Sequence, residues 1–95
     1  MSKASLSNNL EQTLADRAKT HGDFSSHAAI SQQLKQILVV YGYDKFTPEQ
    51  RESLEMICHK IARILNGNPN THDHWHDIAG YATLVAKELE KNETR

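Results

Sequence analysis

A single cysteine, Cys58, leaves no partner for an intrachain disulfide, which excludes the stapled scaffolds of small secreted domains and points to a reducing, cytoplasmic compartment. No apolar stretch approaches the roughly 20 residues that a membrane-crossing helix needs. The start, Met1-Ser2-Lys3-Ala4-Ser5, lacks the apolar segment of a secretory leader. Neither charge sign dominates: 11 Lys and Arg face 12 Asp and Glu, for a formal net charge of −1. That balance excludes the broad electrostatic attraction that duplex nucleic acid or an anionic membrane requires, while leaving room for a local basic pocket. Alternating strand patterns, internal repeats and phosphate loops of the Walker or Rossmann kind are also missing. Nucleophilic catalysis finds no glycine-flanked serine, and Cys58 falls on an apolar stripe.

What remains is helical periodicity within one domain spanning residues 1–95, with 1–9 and 91–95 expected to fray. A short first helix over 6–19 carries Leu10 and Leu14 and ends at His21-Gly22, where glycine suits the left-handed closing residue. Ser25 or Ser26 is positioned to cap a second helix over 27–40, whose stripe is Ala29, Ile30, Leu34, Ile37, Leu38 and Tyr41. Thr47-Pro48-Glu49-Gln50 combines a capping box with proline at the first helical position, so a third helix opens there and runs to Asn66. Its stripe is Leu54, Ile57, Cys58, Ile61, Ile64 and Leu65. A fourth helix over 72–90, capped by Thr71, carries Trp75, Ile78, Ala79, Ala82, Val85, Ala86 and Leu89. The expected fold is an all-α bundle of three long helices and one shorter N-terminal helix. A chain this small buries only about two-thirds of its unfolded surface, so a homo-oligomer is expected.

At 100° per residue, Glu52, Glu55, His59 and Arg63 share a strip opposite the third helix's apolar stripe, with Met56 and Lys60 at its margin. Such a strip is also what a solvated helix face with i,i+4 pairs looks like. On the fourth helix Asp73, Asp77, Tyr81 and Leu84 lie together, and Tyr81 and Leu84 are too apolar for a purely solvated strip. Asp73 suits the helix dipole as a first-turn acid, whereas Asp77 lies beyond that turn. That second face meets either a ligand cleft or another subunit. Arg17, Lys60 and Arg63, brought together, would suit a phosphate or small anion. His72, His74 and His76 cannot all reach one ion, because alternate helical residues point about 200° apart. His72 and His76 could, with His59 or Asp73, but no HExxH or cysteine pair supports zinc. Glu52, Glu55, Asp73 and Asp77 fit Mg²⁺ better if the third and fourth helices pack antiparallel.

Two stretches carry a resemblance: Arg17-x-x-x-His21-Gly22-Asp23-Phe24, and Met56-Ile57-x-His59-Lys60-Ile61-x-Arg63 followed by Asp73-x-Trp75-x-Asp77-Ile78-Ala79-Gly80-Tyr81-Ala82. They resemble a phage and prophage family of small helical proteins without an assigned function. The resemblance implies a site formed by Arg17, Asp23, Lys60, Arg63, Asp73, Asp77 and Tyr81. That family is in turn distantly similar to MazG-type all-α nucleoside triphosphate pyrophosphohydrolases, whose paired acids hold Mg²⁺ at a nucleotide's phosphates. By that likeness Glu52 and Glu55 stand for one acidic pair and Asp77 for the end of the other. His74 stands where the second pair needs glutamate, and Lys60 places a cation on the helix that should be acidic. The expectation is therefore a phage-type oligomer that binds a nucleotide or nucleotide-derived signal, for instance to withdraw it from host defence. The alternatives are a Mg²⁺-dependent pyrophosphohydrolase built on Glu52, Glu55 and Asp77, and a helical module that only binds proteins.

Overall fold

A computed structural model describes the backbone of residues 2–93 and the side chains of 9–42 and 44–93. The expected fraying falls in part on residues outside that description. The chain is all-α: α1 (Ser2–His21), α2 (Phe24–Gly42), a 3-10 turn (Tyr43–Lys45), α3 (Pro48–Asn66) and α4 (His72–Glu93). α3 opens as its sequence dictates. The Thr47 hydroxyl accepts from the Gln50 amide at 3.1 Å, and the Gln50 side chain accepts from the Thr47 amide at 3.0 Å. α2 starts earlier than the serines suggest, because the Asp23 carboxylate accepts the Ser26 amide at 2.8 Å and caps the helix.

Gly22 makes the corner between α1 and α2. Its φ of +76° is the left-handed conformation that closes a helix, and its amide donates to the Ala18 carbonyl at 2.9 Å. The corner is locked onto the C-terminal end of α3. The Asn66 amide donates to the His21 and Asp23 carbonyls at 3.1 and 2.8 Å, and the Asn68 amide donates to the Thr20 carbonyl at 2.9 Å. A Cβ at Gly22 would overlap the Asn66 carbonyl oxygen, so glycine is required twice over.

α3 is the centre of the fold. α2 and α4 both pack on it and hardly touch each other, and α1 reaches α3 and α2 near the corner. α2 and α4 meet different sides of α3: His27 of α2 lies against His59, while Lys60, about 100° further round the helix, pairs with Asp77 of α4. Three helices thus lie side by side as an open layer with two broad faces, and the chain as a whole, α1 included, is 60 Å in longest extent. The expected all-α bundle is present, centred on α3, and open enough to leave the apolar stripes half covered. Among the described residues the only buried apolar side chains are Cys58 and Ala62. Several residues expected in the core are exposed, Ile37, Tyr41, Leu65 and Leu89 among them. Trp75, also expected there, is 55% exposed, and its indole donates to the Pro69 carbonyl at 2.8 Å. Among the described residues no helix is long and apolar enough to cross a membrane.

Candidate anion cleft on the polar face

One face of the layer carries the polar strip of α3. The C-terminal half of α1 lies over it, and between them is a cleft of about 420 Å³. Arg17 comes from α1, His21 and Asp23 from the corner, Phe24 and His27 from α2, and His59 and Arg63 from α3. These residues meet because the corner at Gly22 folds α1 back across α3 and because His59 and Arg63 stand one turn apart on the same strip.

The two guanidiniums dominate the electrostatics. Neither Arg17 nor Arg63 makes an ion pair with a carboxylate among the described residues. Burial lowers the proton affinity of Arg63, and Arg17 lowers it further, with Asp77 and Tyr81 partly offsetting the effect. Two like charges held near each other attract a shared anion, and a guanidinium fork suits phosphate or carboxylate oxygens.

Neutral imidazoles fill the floor. His27 Nε2 lies 3.3 Å from His59 Nδ1, with the rings edge to face, so one donates and the other accepts. Burial chiefly, then Arg63, His27, Lys35 and Lys60, push His59 down to about 4. His27 is lowered by burial and then by Arg63 and Lys35, and His21 by burial, Arg63 and His74. His27 Nδ1 is buried without a hydrogen-bond partner among the described residues, leaving a polar atom of a cleft-lining residue to be satisfied. Phe24 stands exposed at the rim beside His27, their ring centroids 6.4 Å apart, offering a flat apolar surface.

The expected site residues divide into groups. Arg17, Asp23 and Arg63 converge on this cleft. The Asp23 carboxylate is already engaged in capping, and the Ser26 amide holds its pKa below the usual range. Lys60 and Asp77 pair with each other at 2.7 Å; the ammonium is nearly buried, and its hydrogen bond keeps the Asp77 carboxyl low. Tyr81 lies half-buried in a separate groove between α3 and α4, with Glu52, Leu84 and Glu88. Its phenol is near enough to Arg63 to be among the groups that raise that guanidinium's proton affinity, so the two regions adjoin. Asp73 is exposed, 3.6 Å from the His72 ring, and does not line the cleft.

Glu52, Glu55 and Asp77 do not come together as metal ligands: among the described residues no group of three His, Cys, Asp or Glu side chains is placed to hold an ion. An ammonium at 2.7 Å from Asp77 is a further mismatch with Mg²⁺. His72 and His76 stack with centroids 5.6 Å apart and likewise belong to no such group. Burial raises the Cys58 thiol, which keeps it protonated and inert.

Sequence reasoning missed His21, His27, Phe24 and His74. His27 sits 32 residues from His59, a separation no local spacing reveals. His74 is almost fully buried, with Nε2 3.3 Å from the Thr20 carbonyl and its ring 4.9 Å from His21, so it props the α1 end of the cleft. The chain belongs to the family described as domain of unknown function DUF6378, whose profile matches residues 5–89. No curated protein and no solved structure matches it.

Proposed function

For a member of a family without an assigned activity, we propose that this chain binds a nucleotide or nucleotide-derived signal in the cleft beneath α1 and holds it without turning it over. The observation that carries the reading is the pairing of Arg17 with Arg63 across a cleft of about 420 Å³, neither cation making an ion pair with a carboxylate among the described residues. Phosphate oxygens suit the guanidiniums, and a base suits the exposed Phe24 ring at the rim. Capture is favoured over pyrophosphate hydrolysis because the acids that hydrolysis would use are dispersed, with Asp77 tied to Lys60. Removal of a host signal by a phage-type protein is the biological use that suits such a binder, which acts as a homo-oligomer.

The test is calorimetry and thermal shift with inorganic phosphate, nucleoside mono- and triphosphates, and cyclic mono- and dinucleotides. One class should raise the melting temperature and be recovered intact. Arg63→Ala and Arg17→Ala should each weaken it roughly 10- to 100-fold, the worth of one charge-assisted hydrogen-bonded contact. Helicity should be unchanged, and Lys87→Ala, on an exposed part of α4, should bind as the parent does. No response across the panel, or binding indifferent to both arginines, would sink the reading.

A further inference from the structure

The face of the layer opposite the cleft is apolar on all three helices. At 100° per residue, the flank of α2 that turns away from Phe24 and Lys35 carries Ile37 and Tyr41, which are 54% and 77% exposed. The same side of α3 carries Leu65, 64% exposed, and that of α4 carries Trp75 and Leu89, the latter 44% exposed. Between α3 and α4 this face sinks into a groove of about 520 Å³ lined by Leu54, Ile57, Ala82 and Val85, with Phe46 at one end and Lys45 its one charged lining residue. These stripes have the period of core residues and nothing among the described residues of one chain covers them. A scattered exposed leucine means little, but a continuous apolar face over three helices marks an interface.

We propose that a second copy of this chain covers the face, so that two three-helix layers pack against each other through α2, α3 and α4. Area supports it. The accessible surface is 7152 Å², whereas a monomeric domain of 10.8 kDa exposes about 5,500 Å². The excess of about 1,600 Å² lies within the roughly 1,000–2,500 Å² that each partner contributes to an obligate homodimer. Should the projecting α1 account for half of it, the remainder still equals the ~800 Å² per partner of a stable complex. Another copy is favoured over a different protein because the need is permanent. Among the described residues Cys58 and Ala62 are the only buried apolar side chains, too small a core for a chain of this length, so cover must be present wherever the chain is made. A groove towards one end of the face, with protruding Leu65 and Trp75 towards the other, is also what a two-fold, self-complementary contact uses. The net charge of −1 gives two copies little reason to repel.

This inference deepens the oligomeric part of the proposed function by naming the face and the partner, and it is tested without ligand, so the two stand or fall separately. Light scattering on the full chain at about 100 µM, an estimate well above typical homodimer dissociation constants, should give twice the 10.8 kDa chain mass, or a multiple of that dimer. Ile37→Glu and Leu65→Glu should lower that mass, whereas Leu84→Ser, on the other flank of α4, should not. If either glutamate variant fails to fold, the parent's melting temperature decides, because an obligate dimer melts lower on each tenfold dilution. A monomeric parent with a concentration-independent melt overturns the proposal. So does an assembly that survives both glutamates or is broken by Leu84→Ser.

Discussion

Replacing Gly22 by alanine tests whether the corner between α1 and α2 holds both the fold and the cleft. An L-residue at φ +76° costs about 1–2 kcal/mol relative to glycine. The new Cβ overlaps the Asn66 carbonyl, so Asn66 must move. Its amide then gives up bonds to the His21 and Asp23 carbonyls, each worth about 1 kcal/mol. A total loss of about 3–4 kcal/mol corresponds to a melting temperature lower by roughly 12 °C or more for a domain of this size. The same displacement carries Arg17 away from Arg63, so any anion affinity should fall with stability. Urea titration at fixed protein concentration, followed by circular dichroism, reads the effect. Gly80→Ala is the control: a Cβ there has nothing within 4 Å, and alanine in a helix interior should stabilise by about 0.5–1 kcal/mol. Equal stability of Gly22→Ala and the parent would refute the reasoning, since neither the backbone conformation nor the Asn66 lock would then matter.

Acid should destabilise the protein in a defined window. His59 is held at about 4 in the fold against 6.5 in the unfolded chain, so the unfolded state binds more protons between these values. Stability is full above about pH 6.5 and is lost as pH falls towards 4. The shift corresponds to at most about 3 kcal/mol, and partial solvent contact reduces this to about 1.5; His59→Gln should flatten the pH 5–7 slope in urea melts. Ligand binding should take up protons, because an anion beside His21, His27 and His59 favours their charged forms; calorimetry in two buffers of different ionisation enthalpy would show no difference if this is wrong. Ser31 buries a hydroxyl with no hydrogen-bond partner among the described residues, so Ser31→Ala should be neutral or stabilising by up to about 1 kcal/mol in thermal melts. Asp77→Ala strands the nearly buried Lys60 ammonium and should destabilise clearly, whereas Asp73→Ala should fall within about 0.5 kcal/mol of the parent.

Local chemistry was legible in the sequence, and the reach of each local rule marks where legibility stopped. Thr47, Pro48 and Gln50 define the start of α3, and Gly42 and Asn66 end α2 and α3, because caps and breakers act within four residues. The strip of His59 and Arg63 on α3 follows from helical spacing alone. So does the contrast between the two sides of α4. Periodicity, however, says which residues share a side of a helix, and is silent on what covers that side. Trp75, Ile37 and Leu65 have the spacing of core residues and stand exposed, because α2 and α4 flank α3 without closing over it. The joining of Arg17 to Arg63, of His27 to His59 and of Lys60 to Asp77 spans 46, 32 and 17 positions. Contacts at that range depend on the angle at which helices meet, which the Gly22 corner and the Asn66 lock set in three dimensions.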